Sequence, residues 1–359
     1  MPSLNWIFGL KQKIPGFLKK MKGQKIPGFF HYSLTGDLYS EHVRWGLGNT
    51  VFAVKIYYML GLLNNLTDEE KKEIGNFIKS FQRRNGNFYD PLVKKLTFWK
   101  DKLSALKNLD FNNFLHKQTI KAETRQAISA LSLLQEKPNI PYTDFPKTKK
   151  EIDEYLSKLN WEKPWGAGSH FSHLIFFLKN GDLVDKENLI DYAINWINKL
   201  QHPENGVWYI GNPGLQQKIN GAMKIITGLK VAEKVNFKCP EKLIDLCLLT
   251  KNDRHACDNF NIVYVLKYAN ELTRFSYKYK EIKEFALQRL AIYKQYYYSE
   301  IGGFSFLPKK ANIYYYGAKI TKGLNEPDIH GTVMFLWGIS IISQILGFNE
   351  KIKLIEVVP

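Results

Sequence analysis

The chain has 359 residues with 51 Lys and Arg against 34 Asp and Glu, a formal charge of +17, 45% hydrophobic and 14% aromatic content. This excludes a disordered or fibrous chain and is enough to bury a large core. The charge suits an anionic substrate, an anionic lipid surface or nucleic acid, or it coats a solvated surface and nothing more. Nucleic acid is the weakest of these, because the lysines are spread over many segments and no zinc-finger, RNP-like or helix-turn-helix pattern accompanies them.

Residues 1–30 form a basic, aromatic arm. It carries Lys11, Lys13, Lys19, Lys20, Lys22 and Lys25 among Trp6, Phe8, Phe17, Leu18 and Phe29, with Lys-Ile-Pro-Gly-Phe at 13–17 and again at 25–29. Pro15 and Pro27 argue against one long helix. Two readings stand: the arm lies in an anionic headgroup layer, or it packs around the outside of the domain. Lys11 and Lys13 interrupt the first apolar run and no small-residue cleavage site follows, so a cytoplasmic protein with peripheral membrane contact at most is expected. Cys239, Cys247 and Cys257 show neither metal-ligand spacing nor a disulfide framework.

From residue 40 the pattern is helix after helix. Six segments are apolar nearly all round: 42–63, 121–135, 168–179, 216–233, 256–271 and 328–346. Five are amphipathic and charged: 67–83, 147–159, 186–200, 240–250 and 278–297. The first set reads as buried and the second as outer. The run from Val333 to Leu346 is interrupted by Gly338, Ser340, Ser343 and Gln344 and falls short of a clean membrane span.

A phrase recurs at the ends of three outer segments: Gln82 with Gly86 and Phe88, Gln201 with Gly206 and Trp208, Gln295 with Gly302, Gly303 and Phe304. Repetition at wide spacing implies repeated supersecondary units. The expected fold is all-α, an (α/α)6 toroid-like double ring over 31–350 with a tail at 351–359. The sixth outer place falls to the arm or to residues 98–117. Two long connections, 86–120 and 302–327, read as mouth loops, and the second contains Tyr314, Tyr315 and Tyr316.

The Gln-Gly-aromatic phrase resembles the QW-type repeat of the terpenoid cyclase and protein prenyltransferase toroid superfamily, as does the run from Asp328 and His330 through Trp337, Gly338 and Ser340. The resemblance covers about residues 40–348. It implies a helical double ring with a central cavity, a Gln that caps its helix and an aromatic that stacks on the next repeat. In the prenyltransferase β-subunits an Asp and a Cys two residues apart join the final-helix His on zinc; here Cys257 and Asp258 are adjacent and in reverse order. The Asp-x-Asp-Asp acid and Asp-Asp magnesium motifs of the cyclases are absent.

If the inner helices are parallel, their first turns meet at one mouth. Aligning the repeats places Glu123, Thr124 and Arg125 with Lys218, Ile219 and Asn220, and with Asp328, Ile329 and His330. It likewise places Gly46 to Asn49 with His170 to His173 and Asp258 to Asn261. His170, His173, Asp258, His330 and Asp328 are the candidate catalytic groups. His170, His173, Asp258 and His330 suit a divalent metal such as zinc or iron, or a metal-free pair in which Asp258 orients a general base.

Arg125 with Glu123, or Arg125 forking onto a carboxylate or phosphate, is the choice at the second inner helix. Asn49, Asn220, Asn261 and Arg254 add polar contacts, and Trp45, Trp165 and Tyr315 offer flat faces for a substrate. Glycines in these turns imply close backbone approach or room for a ligand. Three functions follow: an enzyme acting on a prenyl or polyprenyl diphosphate or lipid-linked saccharide; a carbohydrate-active lyase, epimerase or hydrolase on an acidic saccharide; or a non-catalytic scaffold.

Overall fold

The computed structural model describes residues 4–107 and 117–357. In chain order its helices are α1 (Asn5–Phe8), α2 (Leu10–Met21), α3 (Leu47–Met59), α4 (Asp68–Ser80), α5 (Pro91–Lys107), α6 (Lys117–Leu133), α7 (Lys149–Ser157), α8 (Pro164–Asn180), α9 (Lys186–Asn198), α10 (Leu215–Val231), α11 (Pro240–Leu249), α12 (Ala256–Leu272), α13 (Tyr279–Lys294), α14 (Ile329–Leu346) and α15 (Asn349–Ile352). The only strands among the described residues are two-residue pieces: β1 (Tyr297–Tyr298) with β2 (Gly303–Phe304), and β3 (Tyr314–Tyr315) with β4 (Ala318–Lys319). The all-α class is thus observed, and every apolar and amphipathic segment of the sequence corresponds to a helix. Residues 98–107 continue α5, while 108–116 and 358–359 lie outside the described residues.

The chain gathers into two compact units, the first from residues up to 141, 291–340 and 348–357, the second from 142–290 and 341–347. In the second, α8, α10 and α12 lie side by side with α7, α9 and α11 packed on them. Gly168 faces the Gly221 carbonyl, Gly221 faces Pro164, and Gly228 faces the Phe171 ring; a Cβ at these positions would stand 3.0, 2.8 and 2.7 Å from those groups. These glycines serve helix packing. The amphipathic helices start on good caps: Thr67 and Glu70 of α4 exchange hydrogen bonds of 3.1 and 3.1 Å, and Thr148 and Glu151 of α7 bonds of 3.1 and 3.2 Å. Each such box contributes about 1 kcal/mol.

In the first unit α3 packs on α6 and α4. The arm belongs to it: α2 buries Leu10, Ile14, Phe17, Leu18 and Met21, running through Pro15, and Trp6 stacks at 5.4 Å from Tyr297 and 6.2 Å from Phe304. Phe29 and Phe30 are buried too. Most of the apolar side of the arm is packed on this unit, while Phe8 is exposed. The helix tolerates Pro15 because α2 is anchored on both sides of it, by Leu10 and Ile14 before and by Phe17 and Leu18 after.

The repeated turns are real but their register differs from the one expected. Gly86, Gly206 and Gly302 all have φ between +72° and +92°, a left-handed conformation that glycine adopts without a Cβ penalty. Two residues on, the aromatic pairs back across the turn: Phe88 with Gln82, Trp208 with Gln201, Phe304 with Tyr297. In the first two turns the Gln amide donates to the turn glycine (3.2 and 2.9 Å) and to a carbonyl of the following connection, Ile140 or Lys238 (2.6 and 2.7 Å). In the third turn Tyr297 holds that place and Gln295 is exposed.

The inner-helix alignment also moves. Thr124 accepts from Phe88 N at 3.0 Å and donates to Ile120 O at 2.7 Å; Thr332 accepts from Phe304 N at 3.0 Å and donates to Asp328 O at 2.8 Å. Thr124 therefore matches Thr332, which sets Asp328 against Ile120 and Glu123 against Gly331. The expected match of Glu123 with Asp328 was about one helical turn out, because aligning on Gln295 started from the wrong residue.

Candidate active site

The first unit holds the more reactive constellation. At the start of α14, the His330 ring stacks on Phe52 of α3 (4.6 Å between centroids, 17°) and faces Phe306 at 4.6 Å. Its Nδ1 lies 2.9 Å from the Tyr32 hydroxyl. Asn312 donates from Nδ2 to that hydroxyl at 2.8 Å and to the Tyr314 carbonyl at 2.8 Å, while its Oδ1 accepts from Tyr314 N at 3.4 Å. These partners set the amide orientation. The tautomer that uses both contacts has Asn312 donating to the Tyr32 oxygen, the phenolic O–H donating to Nδ1, and the ring proton on Nε2. Tyr32 is fully buried, whereas His330 is half-buried.

Asp328, two residues before, is a backbone clamp. It accepts from Phe306 N (2.7 Å), Asn312 N (3.0 Å) and Gly331 N (2.7 Å), and so fixes the loop that carries Phe306 and Asn312. Burial pushes its carboxyl up to about 7 against those three donors. Gly331 is required here: a Cβ would run into the backbone of Ser305 and Phe306.

A second pair of acids joins the starts of α3 and α5 to the second turn of α6. Asp90 accepts from Gly46 N (2.7 Å), Leu47 N (3.4 Å), Leu92 N (3.0 Å) and Val93 N (3.3 Å), joining two helix N-termini. Its own N–H donates to Glu123 Oε2 at 3.0 Å. Burial pushes Asp90 up to about 6, and burial together with the charge of Asp90 pushes Glu123 well above the usual carboxylate range. Glu123 Oε1 is buried and makes no hydrogen bond among the described residues, which suits the protonated acid. Tyr315, from β3, packs its phenol against Gly48 and lies 6.1 Å from both Tyr32 and Phe52. Its phenol is pushed up by burial and by the fields of Tyr316, Glu123 and Asp90.

The other expected site residues are placed differently. In the second unit Asp258 is saturated by amides: Gln216 Nε2 donates at 2.7 Å and Asn220 Nδ2 at 2.8 Å, with Asn252 linking Asn220 Oδ1 (3.3 Å) to Asp258 O (3.2 Å). Its histidine neighbour is His255, with Nε2 3.6 Å from Oδ2. His170 meets Tyr155 through Nδ1 at 2.8 Å, and His173 is buried with Nε2 3.2 Å from Ser169 Oγ. The expected orientation of His170 or His173 by Asp258 is not formed, since amide side chains occupy both Asp258 oxygens. Among the described residues no three His, Cys, Asp or Glu side chains are grouped to hold a metal ion.

Trp45 is core, buried against Phe29 and Tyr39 with its indole N–H on Ser40 O at 3.1 Å. Asn49 holds Phe30 O at 3.0 Å, a structural bond. Asn261 and Arg125 are buried, Arg254 is exposed, and Trp165 is half-buried with its backbone N–H on Gln217. Arg125 stands two positions from Glu123 on α6, a spacing that turns the two side chains apart.

Sequence reasoning missed Tyr32, Asn312, Asp90, Phe52 and Phe306. The long connections 86–120 and 302–327 were singled out as mouth loops, and Asp90 lies in the first, Phe306 and Asn312 in the second; Tyr32 and Phe52 carried no signal, because each acts through a tertiary contact. Comparison with known proteins finds no family model that matches this chain and no curated protein significantly similar to it.

Proposed function

We propose that the protein is an enzyme whose first unit carries an acid–base centre at His330, acting on an anionic substrate, best read as an acidic saccharide. The observation that carries this reading is the orientation of His330: a half-buried imidazole gripped between two aromatic rings, with Nδ1 on the Tyr32 hydroxyl that Asn312 also holds. Nε2 bears a proton in the neutral ring and in the imidazolium alike, so it is a donor toward a substrate oxygen, and a general acid once the ring is charged. Lyase, epimerase and hydrolase chemistry all use such a donor, and the net charge of +17 favours an acidic partner.

The six apolar helices are read as the inner layer of a closed (α/α)6 double ring, as the resemblance to the terpenoid cyclase and prenyltransferase toroids implies. The aromatic surround of Phe52, Phe306 and Tyr315 gives a second reading some weight: an anionic amphiphile, a lipid-linked saccharide or a prenyl diphosphate. The test is turnover of a panel of uronic-acid saccharides and of prenyl diphosphates by wild type and His330→Gln. Consumption of an acidic saccharide, lost in the variant, supports the first reading; consumption of diphosphates alone selects the second. Turnover indifferent to His330 removes this centre altogether.

A further inference from the structure

Helix α5 (Pro91–Lys107) presents apolar side chains to solvent on one face. Leu96 is 41% exposed, Trp99 72% and Leu103 66%, and their spacing of three and four residues puts them on one side of the helix. Val93 and Thr97, on another side, are buried. An exposed Trp of this degree beside two exposed Leu is a patch rather than scattered surface.

The chemistry around the patch points to its occupant. The helix carries Lys94, Lys95, Lys100, Lys102 and Lys107 against Asp101 alone. Lys102 Nζ stands 4.1 Å from the Phe98 ring centroid and 5.5 Å from that of Trp99, and Lys95 is exposed next to Leu96. A helix with Trp and Leu on an open face and lysines flanking them matches the surface of an anionic bilayer: the apolar side chains enter the acyl boundary and the ammonium groups meet the headgroups. A protein partner would need an acidic, apolar groove of matching length; a membrane needs only net negative charge, which complements both α5 and the whole chain.

We infer that α5 is the face by which this protein docks on an anionic membrane, with Leu96, Trp99 and Leu103 as the inserting side chains. The patch on α5 is larger than anything the arm offers, since Phe17, Phe29 and Phe30 are buried and Phe8 is the arm's one exposed aromatic. The inference stands apart from the chemistry at His330.

The experiment is sedimentation of the purified full chain with vesicles of phosphatidylcholine alone or with phosphatidylserine added. The wild type is expected to bind the anionic vesicles and to leave them as salt is raised. Trp99→Ser with Leu103→Ser is expected to lower the bound fraction at least about tenfold at an unchanged melting temperature, because both side chains are already in water. Trp99→Phe is expected to keep binding while losing most of the tryptophan quenching by brominated lipid. Failure of the wild type to bind anionic vesicles overturns the inference. So does binding unaffected by the double variant, or self-association through α5 that the double variant abolishes without any vesicle binding.

Discussion

His330 in the first unit and Asp258 in the second occupy the same kind of place, the first turn of a buried apolar helix. Their surroundings differ. Asp258 is fully buried with both carboxylate oxygens taken by Gln216 and Asn220. His330 is half-buried, and its ring is positioned by Phe52, Phe306 and Tyr32. A polar group sealed from solvent with the protein on its oxygens is structural, whereas one held in a fixed orientation but only half-buried can be reached by a substrate. Residue type and spacing do not separate the two cases.

The largest effect that sharpens this contrast is on turnover. His330→Gln is expected to lower kcat by roughly 100- to 10,000-fold with little change in melting temperature, whereas His170→Ala leaves kcat within a few-fold of wild type. Asp258→Ala is expected to act on stability instead, costing roughly 3 kcal/mol in urea unfolding, because the buried Asn220 and the half-buried Gln216 lose a charged acceptor. Comparable kcat losses in the His330 and Asp258 variants would break the distinction.

A pH effect of intermediate size belongs to the first unit. Burial raises the folded-state carboxyls of Asp328 to about 7 and Asp90 to about 6, and burial with the charge of Asp90 raises Glu123 well above its usual range. A carboxyl whose folded pKa lies above its unfolded value binds more protons when folded, so stability falls as pH rises from about 4 to 7. His31, raised by its bond to Asp37, has the same sign: its contribution is present below its unfolded value and lost as pH rises through the folded one. Unfolding at pH 5 and pH 7.5 should show the lower stability at 7.5, and Asp328→Asn should reduce that difference. An unchanged slope in Asp328→Asn would remove Asp328 from the account.

The smallest effect concerns the repeats. Gln82→Ala is expected to cost about 1–2 kcal/mol through its bonds to Gly86 and Ile140, and Gln295→Ala close to nothing, as Gln295 is exposed. Equal costs would restore the alignment drawn from the sequence.

The helices were legible because apolar periodicity and capping residues are local: Thr67 with Glu70 and Thr148 with Glu151 announce their helices three residues ahead. The turns were legible for the same reason, since Gly86, Gly206 and Gly302 answer a backbone demand. What escaped was anything that depends on which side chain meets which across the fold. Gln295 has the right identity in the wrong place, and a tyrosine does the pairing instead. Of the candidate site, His330, Asp328, Glu123 and Tyr315 were legible from their positions at helix starts and in the long connection. Tyr32 and Asn312 were not: they lie 280 residues apart in sequence, joined by one bond of 2.8 Å, and nothing in either neighbourhood signals the other.

The central claim is that Tyr32 and Asn312 hold His330 with its proton on Nε2. Nitrogen-15 NMR of the imidazole in histidine-labelled protein at neutral pH tests it without any substrate. The account predicts a neutral ring with Nδ1 unprotonated and hydrogen-bonded and Nε2 protonated, and a Tyr32→Phe variant in which that preference is lost. A ring protonated on Nδ1, or a tautomer unchanged in Tyr32→Phe, would contradict it.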